Sequence, residues 1–269
     1  MAGGDNLVTA NPSTDRYEAR LARGDADIAS ALRLRYRVFV EELGAGGPGV
    51  DHASRTEQDE FDTVFDHLVL VDKTLDPELG DHVVGVYRLL PCDRMRQIGR
   101  FYSESEFDLT PLKASGRKLL ELGRSCIHAD HRGGTGMFHL WNALARYVIE
   151  RNIDILFGAA SFPGTDLAKL AAPLSLLHHA HLAPPALRVR ALGDSNSRLR
   201  LLPAAEVDRR AALAATPALI KAYLRLGGFV GEGVFVDHAF NTTDVCLVMD
   251  TNQMSRKHKE FYTRKGEIG

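Results

Sequence analysis

The stretch LELGRSCIHADHRGGTG, residues 120–136, decides how the middle of this chain folds. Its first part is largely apolar and belongs to a predicted strand from Lys118 to His128, whereas its glycine-rich end opens a helix with leucines at four-residue spacing. A second buried strand, residues 153–160, follows the helix directly. Strand, glycine loop, helix and strand together predict a crossover unit that holds a nucleotide-like ligand at the start of the helix.

Glu121, Arg124 and Ser125 are the candidate catalytic residues of this stretch. In a regular strand Glu121 and Arg124 would face opposite sides, because side chains alternate with a period of two. A β-bulge at Gly123 would bring both to one face and turn backbone N–H groups out of the ladder, where they can stabilise an acyl-transfer oxyanion. The spacing alone fits a surface ion pair equally well.

The loop that follows is a candidate phosphate-binding segment. Glycines let the backbone approach a phosphate closely, and the helix start supplies free N–H groups and a positive dipole end. A plain tight turn is the alternative. The candidate ligand residues are His131, Arg132, Gly133, Gly134 and Gly136.

Around this unit the patterns predict one globular domain with an insertion. Two strands, residues 65–72 and 82–90, are joined by turn signals and should pair antiparallel. A first strand at 17–22 leads into a helix capped by Asp25 and reaching about Val40. The predicted organisation is a flexible leader (1–16), a domain (17–250) with a helical insertion at about 165–215, and a polar, basic tail (251–269).

Composition excludes several classes of protein. The 33 Lys and Arg residues nearly balance 35 Asp and Glu residues, so neither a nucleic-acid binder nor a solvating acidic protein is indicated. Three widely spaced cysteines favour reduced thiols. We find neither a secretory signal nor an apolar run of ~18 residues, and therefore expect a cytoplasmic protein whose membrane contact would be peripheral, at the inner membrane.

Together these segments resemble the GNAT acyltransferases, whose phosphopantetheine-binding loop runs Arg/Gln-x-x-Gly-x-Gly/Ala after a bulged fourth strand. Gly134 and Gly136 fill the glycine positions, but His131 stands where Arg or Gln is expected and Arg132 lies one place along. This departure is similar to the branch that takes its acyl group from the phosphopantetheine arm of acyl carrier protein. The resemblance implies an α/β (α+β) fold, a mixed twisted sheet flanked by helices, with no permanently bound cofactor and no metal.

Four further motifs narrow the resemblance. RYRVFVEE (35–42), DEFD (59–62), RLLP (88–91) and ELGR (121–124) resemble, in this order, motifs shared by acyl-homoserine-lactone synthases and ornithine-lipid N-acyltransferases. The segments at 125–134, 156–166 and 223–250 are similar to the ornithine acyl-carrier-protein N-acyltransferases in particular. The lactone synthases also carry a tryptophan after the first helix, whereas the single tryptophan here is Trp141.

The resemblance implies transfer of a 3-hydroxyacyl group from acyl carrier protein to the α-amine of ornithine, which gives a lyso-ornithine lipid. Glu121 would take a proton from the amine or position it, with Arg124 anchoring Glu121. The alternatives are an acyltransferase acting on glutamine, lysine or glycine, a homoserine-lactone synthase, and a non-catalytic module that binds acyl carrier protein or lipid.

Five residues of the N-terminal half are candidates for substrate binding. Asp59 and Asp62 could hold a cationic amino acid, and Arg88 or Arg35 its carboxylate. The alternative is that these residues pair with one another and order the N-terminal lobe. Phe39 is expected to pack in the core rather than to contact the acyl chain.

Two surfaces are predicted to meet partners. A basic cluster would dock acyl carrier protein, with a solvated surface as the alternative; it comprises Arg94, Arg96, Arg100, Lys113, Arg117 and Lys118. The insertion, mainly residues 165–200, would rest on a membrane through a leucine stripe followed by arginines. The stripe is Leu167, Leu170, Leu174 and Leu177, and the arginines are Arg188, Arg190, Arg198 and Arg200. The alternative is that the leucines cover the core or a dimer partner.

Overall fold

The computed structural model describes residues 16–253, without the side chains of residues 196 and 197, so most of the predicted tail and nearly all of the leader lie outside the described residues. The strands are β1 Tyr17–Leu21, β2 Val50–Asp51, β3 Thr56–Glu57, β4 Asp66–Asp72, β5 Val83–Pro91, β6 Phe107–Asp108, β7 Leu119–Ile127, β8 Ile155–Pro163, β9 Arg190–Ala191, β10 Phe229–Val230, β11 Phe235–Asp237 and β12 Thr242–Asp250. The helices are α1 Asp25–Arg35, α2 Cys92–Met95, α3 Thr110–Ala114, α4 Gly136–Glu150, α5 Ala171–His181, α6 Ser195–Arg198, α7 Arg209–Ala215 and α8 Ala218–Arg225.

A mixed sheet of eight strands forms the centre of the molecule. Its order is β1-β4-β5-β7-β8-β12-β10, and β11 also pairs with β12. The β7–β8 pair is parallel, as the crossover through α4 requires, and the neighbouring pairs are antiparallel. Apolar residues of α4, α5 and α8 pack with the strands in the largest core cluster. The predicted mixed sheet flanked by helices is confirmed.

Strands β7 and β8 separate part-way along their length. Their pairing runs only from Leu119 opposite Ile155 to Glu121 opposite Phe157, although both strands continue. At the point of separation a Cβ on Gly158 would lie 2.1 Å from the carbonyl oxygen of Leu122, so only glycine fits this approach. Beyond it the two strands enclose a cleft in the middle of the sheet.

The predicted bulge is present at the same place. Val86 of β5 lies opposite Cys126 and Arg88 lies opposite Gly123, so β7 carries an extra residue between these pairs. The left-handed residue is Arg124, with φ of 50°, and not Gly123. Arg124 and Ser125 have no partner in the register with β5 or β8, which leaves their backbone outside the ladder.

The first helix differs from its prediction. Asp25 is the first helical residue and caps nothing; Gly24 occupies the cap position with φ of 123°. The α-helix ends at Arg35 and continues as a π-helix over Tyr36–Glu42. π-Helical turns are rare in proteins, and those that occur are often found at functional sites.

The leucine stripe of the insertion packs on the core, which is the alternative given above to a membrane-facing stripe. The helix α5 begins at Ala171, after Leu167 and Leu170, and these two leucines pack against the main core. Leu174 and Leu177 are buried within that core. Covering the sheet removes them from water as effectively as a membrane would. No helix of the described part of the chain has the length and apolar character needed to cross a membrane.

Candidate active site

A cavity of about 240 Å³ lies where β7 and β8 separate. Five of the predicted site residues line it: Phe39, Arg88, Glu121, Arg124 and Ser125. Phe39 comes from the π-helix and packs edge-on against Phe240, at 6.2 Å between ring centroids. Its side chain therefore serves both packing and the cavity wall.

Glu121 is held in one position at the end of the paired part of β7. Glu121 is only 1% exposed to solvent. Its two carboxylate oxygens accept hydrogen bonds from the backbone N–H groups of Tyr102 at 2.8 Å and Ser103 at 2.7 Å. Burial raises the pKa of Glu121, while hydrogen bonds from this turn act in the opposite direction. The predicted anchor, Arg124, makes no hydrogen bond to Glu121 in the described structure, because the bulge directs it elsewhere.

Arg124 instead spans two acids and two aromatic rings. Its Nε lies 3.3 Å from Glu57 Oε1 and its Nη2 lies 3.3 Å from Asp59 Oδ2. The guanidinium carbon stands 4.9 Å from the ring centre of Tyr102 and 4.3 Å from that of Phe240. Cation–π contacts and ion pairs together fix the side chain on the cavity wall.

The other predicted substrate residues form a buried ion network. Arg35 Nε lies 2.6 Å from Glu57 Oε2, and Arg35 Nη1 lies 2.5 Å from Asp62 Oδ1. Arg88 donates to Asp59 Oδ1 at 2.6 Å and to Asp62 Oδ1 at 2.9 Å. Although burial opposes it, these guanidiniums hold the pKa of Asp62 well below its usual range. These four residues therefore pair with one another, which is the alternative given above, and none of them is left to clamp an amino acid alone.

The glycine loop leads into α4 as the sequence predicts, but its two basic residues are used within the protein. His131 Nδ1 contacts the Tyr17 hydroxyl at 2.9 Å, and Arg132 bonds the Ile127 carbonyl and Glu42. Gly133, with φ of 75°, and Gly134 have open space where a Cβ would lie, whereas one on Gly136 would meet Leu70 at 2.9 Å. No side chain caps the start of α4. The backbone at Gly133 and Gly134 is thus open to a ligand.

Sequence reasoning missed three acids of the same cavity. Glu106, Asp237 and Asp244 line it together with Arg124. Asp237 and Asp244 come from the consecutive strands β11 and β12, whereas Glu106 comes from a distant part of the chain. The available signal was Asp244 itself, a charged residue at the start of an otherwise apolar strand, VCLVM.

Most of the predicted carrier-protein cluster is already neutralised. Arg94 pairs with Asp66, Arg100 with Glu60, Lys113 with Glu104 and Arg117 with Asp250. Arg96 and Lys118 are exposed. The surface is therefore mixed in charge, unlike the uniformly basic patch that the sequence predicts.

Comparison with known proteins places the chain in a family. The sequence profile of the Acetyltransferase (GNAT) domain matches residues 34–142. An L-ornithine N(alpha)-acyltransferase of Rhodobacter capsulatus is 62% identical over 251 residues, which cover 93% of this chain and 96% of that protein. The chain belongs to the L-ornithine N(alpha)-acyltransferase family. It is therefore an acyltransferase, and a second member, from Agrobacterium fabrum, is 39% identical over 93% of this chain and 86% of its own length.

The fold extends beyond this family. A CoA-dependent acyl-homoserine lactone synthase solved with MTA superposes with a TM-score of 0.51 at 12% identity, covering 93% of this chain and 89% of that one. At this identity the likeness shows a shared fold.

Proposed function

We propose that the chain transfers a 3-hydroxyacyl group from the phosphopantetheine thioester of acyl carrier protein to the α-amine of L-ornithine, forming a lyso-ornithine lipid. The observation that carries the proposal is the 62% identity to an L-ornithine N(alpha)-acyltransferase over nearly the full length of both proteins. The cavity at the separated strands, with a fixed carboxylate and a backbone outside the ladder, supports it.

The residues of the cavity suit aminolysis of a thioester. Glu121 accepts a proton from the ornithine ammonium, directly or through water. Its raised pKa makes the carboxylate a stronger base for this transfer. The free amine attacks the thioester carbonyl, and the backbone N–H groups of Arg124 and Ser125, which lie outside the ladder register, would stabilise the developing oxyanion. The C–S bond then breaks as the amide forms. The nitrogen loses its remaining extra proton at this stage, and Ser125, which hydrogen-bonds Tyr87, is our candidate for relaying that proton to the departing sulfur.

Three neighbouring cavities that share lining residues support a long acyl donor. Between α4 and α8 lies a further cavity of about 390 Å³, with apolar walls that include Trp141 and Val148. A narrow cleft between β7 and β8 shares Leu156, Tyr223 and Met249 with it, and shares Leu122 with the active-site cavity. The acyl chain would run from the thioester through this cleft, where burial of each methylene contributes about 0.8 kcal/mol.

Gly134→Asp tests the phosphate site of the glycine loop. We expect the KM for the acyl donor to rise by about tenfold or more, because the new carboxylate repels a phosphate at the start of α4. The fold should persist, since open space surrounds the position. The measurement is steady-state kinetics against acyl-carrier-protein concentration. Gly134→Asn, which has the same shape without the charge, is the control; an equal rise in both variants would point to crowding instead of phosphate binding.

We propose that the protein contacts the inner membrane peripherally, although the leucines of the insertion pack on the core and are not available for this contact. Acyl carrier protein and ornithine meet the enzyme in the cytoplasm, and the acylated product then leaves for the membrane. Contact through residues 165–200 would depend on exposed polar groups such as Arg190, which pairs with Glu232 at 3.1 Å. Flotation of the wild-type protein with anionic vesicles tests it; failure to float would place release in solution.

The reaction itself is tested with purified protein and 3-hydroxyacyl-acyl carrier protein. Ornithine, glutamine, lysine and glycine are offered separately, and S-adenosylmethionine tests lactone synthesis. We expect an N-acylated ornithine by mass spectrometry, and the same species in lipid extracts of cells expressing the chain. A product only with another acceptor would replace ornithine, and no product with any of them would reject the proposal.

A further inference from the structure

Three carboxylates share one wall of the active-site cavity. Glu106 directly follows the turn that holds Glu121, Asp237 ends β11, and Asp244 lies on β12. One oxygen of each lies within 4.8 Å of the others. Like charges at this spacing repel one another strongly when they are buried.

Two of these carboxylates each have one oxygen without a hydrogen-bond donor. Glu106 Oε2 and Asp244 Oδ1 are buried and accept no hydrogen bond from any residue in the described part of the chain. Glu106 is 3% exposed and Asp244 is 4% exposed. Burial, together with the neighbouring carboxylates, raises the pKa of Glu106 well above its usual value and that of Asp244 to about 6. A buried carboxylate oxygen without a donor is costly, so this wall is suited to a ligand that brings a positive charge.

The remaining walls indicate which cation fits. Phe39, Leu122, Ala159 and Phe240 supply apolar surface for methylene groups. The guanidinium of Arg124, stacked on Phe240, supplies a positive group in the same cavity. A diamino acid matches this arrangement, because it carries a carboxylate and a terminal ammonium joined by methylenes. A bare divalent ion would use the three acids but neither the apolar walls nor Arg124.

We propose that Glu106, Asp237 and Asp244 bind the side-chain ammonium of a diamino-acid acceptor and thereby select dibasic over neutral amino acids. The inference rests on the proposed function, since it assigns a subsite to the acceptor of that reaction. Arg124 takes the α-carboxylate, and the α-amine is left for Glu121.

The test compares L-ornithine with L-norvaline, which is the same amino acid without the terminal amine. In the wild-type enzyme we expect kcat/KM to favour ornithine by at least about 100-fold, because norvaline leaves the buried carboxylates unpaired. Glu106→Gln and Asp244→Asn should each reduce this ratio by at least about tenfold. Both substitutions remove a charge from a repelling cluster, so the Tm of each variant should equal or exceed that of the wild type.

Each other outcome overturns the subsite in a distinguishable way. Equal losses on ornithine and norvaline would make the acids structural, and unchanged ratios in the variants would leave the ornithine reaction standing without this subsite. Wild-type enzyme that acylates neither amino acid would reject the proposed function itself. Wild-type activity that is lost in EDTA and restored by Mg²⁺ or Mn²⁺, with no restoration in Asp244→Asn, would identify a metal site instead.

Discussion

Replacing Glu121 by glutamine is expected to lower kcat by at least about 100-fold, the usual contribution of a positioned proton acceptor. The carboxylate is buried and held by the amides of Tyr102 and Ser103, so an isosteric amide can occupy its place but cannot take a proton. One amide N–H would lose its acceptor, at about 1 kcal/mol. Single-turnover acyl transfer measures the chemical step, and calorimetry checks that Tm falls by no more than about 4 °C.

Glu104→Gln is the matched control for this variant. Glu104 accepts a backbone N–H bond from Phe101 at 3.0 Å in the same turn and pairs with Lys113, yet it does not line the cavity. Its substitution should therefore loosen the turn to a similar degree while keeping kcat within about twofold of wild type. If Glu104→Gln lost as much activity as Glu121→Gln, the effect would come from the turn and Glu121 would lose its catalytic assignment.

Arg35→Ala is expected to destabilise the protein by about 3–5 kcal/mol, because each of two buried carboxylates loses one of its two guanidinium partners. Arg35 is fully buried and joins Glu57 to Asp62. For a chain of this size the loss corresponds to a fall in Tm on the order of 10 °C. Denaturant unfolding measures it. Arg33→Ala, two residues earlier in α1 and 32% exposed, removes a surface arginine 3.8 Å from Asp81 and should cost less than about 1 kcal/mol.

The loss of stability in Arg35→Ala relative to wild type is expected to depend on pH. The pKa values of Glu57 and Asp62 are held below their usual range by the guanidiniums, despite the opposing effect of burial. Their contribution to the free energy of unfolding is therefore complete above about pH 4.5 and is lost as pH falls through the lowered values. The difference between wild type and Arg35→Ala should be full at pH 7 and shrink in acid. A difference that is constant from pH 7 to pH 3 would mean that packing, and not charge, sets the loss.

The sequence by itself determined the elements and their order, because these depend on local patterns. Apolar runs and turn residues located the strands on either side of the glycine loop, and the spacing of the leucines located α4. The bulge near Gly123 was also predictable, since a glycine inside a strand favours one. Five of the predicted site residues line the cavity, because the motifs at 35–42, 88–91 and 121–124 meet there.

Only the tertiary structure decided which partners these residues have. Arg124 could not be assigned to Glu57 and Asp59 from spacing, because its direction depends on the left-handed turn of the bulge. The leucines of α5 have the same periodicity whether they cover a sheet or a membrane, and only packing distinguishes the two. Asp237 and Asp244 lie on the paired strands β11 and β12, but Glu106 is more than 100 residues away in the chain and joins them only because β12 returns beside β8. The charge that the three acids share is therefore a property of the folded molecule alone.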